Sequence, residues 1–110
     1  MIVIYHNPKC GTSRNALEAI RASGTEPVVI DYMAEGWTRP QLLGMFAVAG
    51  LTPRQALRTR APEAEAVANA SDAEILDAMV QHPVLVERPF VASPKGVRLC
   101  RPAETVAELL

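Results

Sequence analysis

The sequence predicts an α/β fold in which one mixed sheet of four strands is flanked by helices and interrupted by a helical insertion. Three observations carry this prediction. The first thirty or so residues alternate strand, helix and strand, the middle of the chain holds three helix-capping patterns, and a hairpin pattern precedes a last helix. The length of 110 residues fits one domain. We therefore expect a single domain over residues 1–110, with the insertion at about residues 38–83.

The N-terminal part is typical of a βαβ unit. Residues 2–6 are a short β-branched run, the pattern of a buried strand, and residues 27–30 form the second predicted strand. A helix is predicted between them, beginning at residue 12 or 13 and ending near residue 23, and Gly24 suits the position after its end. Strands joined in this way lie parallel, with a right-handed crossover.

The middle of the chain shows three Ser/Thr-x-x-Gln/Glu patterns, each of which predicts the start of a helix. They are Thr38 with Gln41, Thr52 with Gln55, and Ser71 with Glu74. The first helix should end at Gly50, the second should be a short turn, and the third should end at Pro83.

The C-terminal part returns to strand patterns. Residues 90–92 show a strand pattern, residues 97–100 alternate apolar and polar side chains, and a turn-rich segment lies between them, which predicts a β-hairpin. Pro102 then opens a final helix. The complete order is βαβ, helical insertion, ββα.

Composition and charge exclude several classes of protein. A hydrophobic content of 49% and a charged content of 21% fit a folded globular domain. No apolar run approaches the ~18 residues of a membrane helix, and the N-terminus lacks the basic region of a signal peptide, so we expect a cytoplasmic protein without membrane contact. The net charge of -1 argues against nucleic-acid binding. No Cys/His cluster has zinc spacing, so we expect no metal.

Arginine outnumbers lysine nine to two, which is unusual for a surface that is merely solvated. Guanidinium groups are favoured where a planar fork grips an oxyanion. Arg88 and Arg101 each precede a proline, which restricts them to extended backbone and suits an anion clamp. Four other arginines are expected to pair at the surface with acids of residues 61–87, namely Arg39, Arg54, Arg60 and Arg98.

Cys10 is the candidate nucleophile. It lies in the turn between the first strand and the first helix, where free N–H groups and the helix dipole stabilise a thiolate. His6, Lys9 and Arg14 are close in sequence and could add positive potential. Because Ser13 takes the fourth position of a C-x-x-S pattern, no second local thiol can resolve a disulfide. The alternative is that Cys10 is only a small loop residue.

The sequence also bears on a phosphatase function for Cys10 and on the role of Cys100. A cysteine-type phosphatase loop needs an arginine after five intervening residues, and Ala16 occupies that position, so the phosphatase hypothesis fails. Cys100 ends an apolar alternating strand, which favours a buried core thiol over a catalytic one.

Several segments resemble the glutaredoxin-coupled arsenate reductases, in order and over essentially the whole chain. They are residues 4–15, 23–27, 81–83, 88–89 and 98–102. The resemblance implies a thioredoxin-like fold and the reduction of arsenate to arsenite. It also implies glutathione as a co-substrate, glutaredoxin as a partner and no bound cofactor. We expect a monomer.

The resemblance also implies roles for individual residues. Cys10 matches the nucleophile of the family, and Cys100 matches a cysteine that turnover does not require. The arginines that match those binding the arsenate and arsenite oxygens are Arg58, Arg88 and Arg101. Supporting residues are His6, which is held to influence the cysteine, Ser13 and Arg14 in the same loop, and Pro89, where a cis peptide bond is expected.

Two alternative functions remain open from sequence. One is a glutathione-linked thiol oxidoreductase acting on another substrate, which would need Cys10 but not the arginine clamp. The other is a non-enzymatic binding protein of the same fold, similar to transcription regulators that contact RNA polymerase. A C-x-x-C switch would favour the second, and Ser13 counts against it.

Overall fold

The computed structural model describes all residues from 1 to 110 and divides into two compact units. The first unit joins Met1–Glu35 to Arg88–Leu110, and the second is Gly36–Glu87. The predicted insertion at about residues 38–83 falls within the second unit.

The first unit holds the sheet. Its elements are β1 (Val3–His6), α1 (Gly11–Ala22), β2 (Val28–Asp31), α2 (Tyr32–Glu35), β3 (Phe90–Ser93), β4 (Gly96–Leu99) and a 3-10 helix (Ala103–Leu109). The strand order is β2-β1-β3-β4; β1 and β2 are parallel, and the other two pairs are antiparallel. The predicted four-stranded mixed sheet is therefore confirmed. The last helix was expected, but its 3-10 geometry was not.

The core of the first unit is aliphatic. It is formed by Ile2, Ile4, Ala16, Ile20, Val91, Cys100, Val106 and Leu109. Each large aliphatic side chain contributes about 1.5–3 kcal/mol on burial, so this cluster fixes α1 against the sheet. The prediction that Cys100 is a core thiol is confirmed, since none of its surface is exposed.

The second unit holds α3 (Arg39–Ala49), a 3-10 helix (Pro62–Val67), α4 (Asp72–Gln81) and a second 3-10 helix (Pro83–Leu85). The capping boxes of Thr38 with Gln41 and of Ser71 with Glu74 form as predicted. Gly50 ends α3 with φ 72°, a left-handed conformation that glycine adopts without strain. Thr52 and Gln55 also exchange hydrogen bonds, but they open only a single turn. No helix in either unit has the length and apolar character needed to cross a membrane.

Candidate active site

Cys10 occupies the N-cap position of α1. Its N–H donates to the Asn7 carbonyl at 3.0 Å, and its own carbonyl accepts from the Arg14 N–H at 3.0 Å. These two bonds fix the turn between β1 and α1, while the thiol is half-buried and free of any disulfide. The prediction that Cys10 lies at a helix N-terminus is therefore confirmed.

The pKa of the Cys10 thiol lies below its ordinary value. Burial alone would raise this pKa, but three other effects together outweigh it. The backbone N–H of Ser13 hydrogen-bonds the sulfur, the guanidinium groups of Arg88 and Arg101 donate to it, and the charge of Arg88 adds a favourable field. The thiolate, which is the nucleophilic form, is stabilised in consequence.

Arg88 and Arg101 are brought to Cys10 by the sheet. Arg88 precedes β3, which pairs directly with β1, and Arg101 follows β4. Nη1 of Arg101 lies 3.8 Å from the Cys10 sulfur and donates to the Arg88 carbonyl at 3.1 Å. The bonds Arg88–Pro89 and Arg101–Pro102 are both cis, the first as expected.

Arg88 is only 8% exposed, and its buried Nε and Nη1 atoms have no hydrogen-bond partner. An unsatisfied buried donor is costly, more so when it belongs to a charged group. Two such donors beside a stabilised thiolate form a site that can bind the oxygens of an anion, because those oxygens accept hydrogen bonds.

A buried hydrogen-bond network stabilises the loop that carries Cys10. The fully buried Ser13 hydroxyl lies 2.6 Å from Nδ1 of His6 and accepts from the Asn7 N–H at 3.1 Å. Burial lowers the pKa of His6; Arg21 and Arg14 act in the same direction, against Asp31, which raises it. Burial therefore disfavours the charged imidazole, which argues against the prediction that His6 adds positive potential at Cys10.

Arg14 and Lys9 shape the loop through the backbone. Nη1 of Arg14 donates to the Pro8 carbonyl at 2.9 Å, and the Lys9 N–H donates to Oδ1 of Asn7 at 3.0 Å. Sequence reasoning did not single out Asn7, although it is 8% exposed and bonds to both Ser13 and Lys9. Its signal was a polar residue placed directly between a buried strand and a proline.

Arg58 belongs to the second unit. Its N–H donates to the Leu85 carbonyl at 2.8 Å, and its Nη1 lies 3.7 Å from Oε1 of Glu87. The convergence of Arg58 on Cys10 stays a prediction.

The remaining arginines are mostly surface residues, as expected. Arg39 pairs with Asp77, and Arg60 lies 4.0 Å from Glu87. Two partners were predicted wrongly. Arg98 pairs with Glu108, beyond the acidic segment, because β4 and the last helix are neighbours. Arg54 donates to the carbonyls of Ala68 and Ala70 at the end of the 3-10 segment.

Cys100 is chemically different from Cys10. Burial, reinforced by the nearby Glu108 carboxylate and opposed only by Arg98, raises the pKa of Cys100 to about 12. A cavity of about 440 Å³ in the second unit is lined by residues that include Arg54, Thr59 and Glu65 but no cysteine. No group of three or more His, Cys, Asp or Glu residues is placed to hold a metal ion.

The fold and the site together define a class: a mixed four-stranded α/β protein with a reactive thiolate at a helix N-terminus and guanidinium donors around it. Residues 5–109 match the model of the ArsC family. The chain belongs to the ArsC family, and its fold is thioredoxin-like.

Relatives with known names agree with this assignment. The arsenate reductase ArsI2 of Synechocystis sp. is 63% identical over 114 aligned positions, covering 100% of this chain and 81% of that protein. The arsenate reductase of Escherichia coli K12 is 48% identical, covering 99% of this chain and 80% of its own. The structure of an arsenate reductase from Vibrio cholerae superposes with a TM-score of 0.93 at 34% identity, over 99% of this chain and 97% of that chain.

Proposed function

We propose that this protein is an arsenate reductase that acts in arsenic detoxification, using Cys10 as its nucleophile and glutathione and glutaredoxin as its reductants. One observation carries the proposal: the buried, unpartnered Nε and Nη1 donors of Arg88 lie in the same site as a thiol of lowered pKa. A tetrahedral oxyanion of a thiophilic element satisfies both features at once. The membership in the ArsC family supports the same substrate.

Binding comes first. Arsenate oxygens accept charge-assisted hydrogen bonds from Arg88 and Arg101, and by resemblance from Arg58. These bonds disperse the negative charge that would otherwise repel an attacking thiolate. No metal or bound cofactor takes part in the proposed mechanism.

The first chemical step is a substitution. The Cys10 sulfur attacks arsenic, an As–S bond forms, and one arsenate oxygen leaves as hydroxide or water. The guanidinium donors hold the remaining oxygens as the bond forms. Arsenic remains As(V) in this adduct.

The reduction then uses external thiols. Glutathione displaces a second oxygen as water and forms a second As–S bond. A glutaredoxin thiolate attacks the glutathione sulfur, forming a mixed disulfide, and the electron pair of that As–S bond stays on arsenic, giving As(III). Water then cleaves the remaining bond to Cys10 and releases arsenite. Two thiols are oxidised for each two-electron reduction of arsenic.

The structure supports this need for external thiols. The other cysteine of the chain, Cys100, is fully buried with a raised pKa, so it is a poor resolving thiol. Ser13 occupies the position of a local resolving cysteine, and its hydroxyl is engaged with His6 and Asn7.

A glutathione-linked thiol oxidoreductase acting on another substrate is the second candidate. The same thiolate of Cys10 favours it. That function gives no reason for the unpartnered Arg88 donors, so it is ranked below arsenate reduction. A non-enzymatic regulator similar to those that contact RNA polymerase gives no reason for the lowered thiol pKa.

An omission series tests the proposal. The purified chain is incubated with arsenate, glutathione and glutaredoxin, and arsenite is quantified with each component left out in turn. Arsenite should form only in the complete mixture. Arsenite formation without glutathione or glutaredoxin would overturn the proposed reductants, and its absence from the complete mixture would overturn the proposed substrate.

A further inference from the structure

Two guanidinium groups contact the Cys10 sulfur, and one of them has further donors in the same site. Nη1 of Arg101 lies 3.8 Å from the sulfur, and the Arg88 guanidinium also donates to it. Arg88 is 8% exposed, and its buried Nε and Nη1 atoms have no hydrogen-bond partner. Such donors stabilise an oxygen on which negative charge develops beside the sulfur, even when the molecule that brings this oxygen is uncharged.

Thiolates also attack hydroperoxides, which are uncharged. The sulfur displaces one oxygen of the O–O bond and becomes a sulfenic acid, and thiolates of low pKa that solvent can reach are the most susceptible. The departing oxygen takes up the negative charge, so donors within its reach lower the barrier to the reaction. Hydrogen peroxide has only two heavy atoms, so it can reach a sulfur that is half-buried, as that of Cys10 is.

The chain offers no accessible second thiol to an oxidised Cys10. A sulfenic acid otherwise condenses with a neighbouring thiol and forms a disulfide. Cys100 is fully buried in the aliphatic core, and Ser13 stands where a local resolving cysteine would be. The Ser13 hydroxyl is engaged with Nδ1 of His6 at 2.6 Å. The reduction of an oxidised Cys10 therefore depends on a thiol from solution.

We propose that Cys10 is also a site of reversible oxidation by hydroperoxides, at which Arg88 and Arg101 hold the leaving oxygen. The thiolate attacks hydrogen peroxide; an S–O bond forms, the O–O bond breaks, and the peroxide gains the two electrons that the sulfur loses. The departing hydroxide takes a proton from solvent and leaves as water. A small thiol then displaces the sulfenic oxygen as water and forms a mixed disulfide with Cys10, and a second thiol attacks that disulfide and restores the thiolate.

A ratio of two rate constants tests the part played by the arginines. The protein reacts with hydrogen peroxide and, separately, with iodoacetamide at the same pH, and the loss of free Cys10 thiol is followed by mass spectrometry. The ratio cancels the thiolate fraction, because both reagents require the thiolate. Iodide accepts only weak hydrogen bonds, so the arginines assist the peroxide reaction alone. The wild-type ratio should exceed that of free glutathione about tenfold or more, the effect of one charge-assisted hydrogen bond.

A matched pair of variants locates the effect. Arg101→Met should lower the ratio of the peroxide rate constant to the iodoacetamide rate constant about tenfold. Arg98→Met should leave this ratio unchanged, because Arg98 is exposed and pairs with Glu108. Equal ratios in the wild type and in folded Arg101→Met would overturn the proposal. A wild-type ratio no higher than that of glutathione would overturn it as well, and that comparison needs no variant to fold.

Trapping the product assigns the oxidation to one sulfur atom. Wild type treated with hydrogen peroxide and dimedone should gain one adduct, on Cys10, and Cys10→Ser should gain none. Glutathione added in place of dimedone should give a mixed disulfide that excess glutathione reduces. Oxygen found only on exposed methionines such as Met1 and Met33, without an adduct on Cys10, would overturn the proposal. Arsenate is absent from every reaction, so a failure of the proposed function leaves these outcomes unchanged.

Discussion

Nη1 of Arg101 lies 3.8 Å from the sulfur of Cys10, although ninety-one positions separate the two residues in the chain. The same Nη1 donates to the carbonyl of Arg88 at 3.1 Å, which ties both arginines to one thiol. The thiolate stabilisation and the proposed binding of arsenate therefore depend on the same groups, and substitutions of these arginines can separate the two roles.

Removing Arg101 should raise the pKa of the Cys10 thiol, because hydrogen bonds from Arg88 and Arg101 help to hold that pKa below its ordinary value. Alkylation of Cys10 by iodoacetamide, followed against pH, reports the thiolate fraction. In Arg101→Met the profile should move to higher pH and the rate near pH 7 should fall. Arg98→Met is the control, since Arg98 pairs with Glu108. Superimposable profiles for the wild type and Arg101→Met would refute this part of the account.

Arg101→Lys should weaken arsenate binding by about 10–100-fold, because an ammonium is a point charge and cannot reproduce a planar fork. The measurement is the shift in thermal midpoint with arsenate, beside phosphate as a comparison anion. Near-normal arsenate affinity in this variant would count against the clamp.

Substitutions of Arg58 and Arg60 form a matched pair that tests whether Arg58 helps to bind arsenate. Both approach Oε1 of Glu87, at 3.7 and 4.0 Å, but only Arg58 is half-buried. Arg58→Gln should raise the KM for arsenate about tenfold or more, as expected for a lost charge-assisted bond, and Arg60→Gln should not. Equal effects of the two substitutions would show that Arg58 is an ordinary partner of Glu87.

Much of the fold followed from local patterns. The capping boxes at Thr38 and Ser71 were predicted because their hydrogen bonds join residues three apart. The helix Tyr32–Glu35 and the 3-10 segments Pro62–Val67 and Pro83–Leu85 were missed, since each is too short to show a helical period. The final helix has one apolar face in either geometry, so its 3-10 form left no trace in the pattern.

The site residues also differ in how far the sequence could predict them. Cys10 could be predicted because its stabilisation depends on the adjoining turn and helix. The proline rule indicated only restricted backbone at Arg88 and Arg101, and their meeting with Cys10 depends on how β1, β3 and β4 pair. The lowered pKa of His6 could not be predicted, because it depends on tertiary burial.

The pH dependence of stability should carry a contribution from His6. Its pKa is lowered in the folded state, so the unfolded chain binds a proton more readily between the folded value and 6.5. This contribution is present above 6.5 and is lost as pH falls below it. Urea unfolding at about pH 7.5 and about pH 5.5 measures the change, which should be smaller in His6→Asn. An equal change in both proteins would contradict a buried neutral imidazole.

Only one cysteine should react in the folded protein. Cys100 is unexposed with a pKa raised to about 12, whereas Cys10 is half-buried with a lowered pKa. A thiol reagent near pH 7 should label Cys10 in the native state, both cysteines in denaturant, and neither in native Cys10→Ser. Cys100→Ala should retain arsenate reduction. Rapid native labelling of Cys100 would disprove its placement in the core.

The most direct test of the central claim is arsenite formation by the wild type and by Cys10→Ser, side by side, with arsenate, glutathione and glutaredoxin. Circular dichroism establishes that both proteins are folded. The wild type should produce arsenite, and Cys10→Ser should produce none above the protein-free background, because a serine hydroxyl is not ionised near neutral pH. Arsenite produced by Cys10→Ser at the wild-type rate would contradict the account.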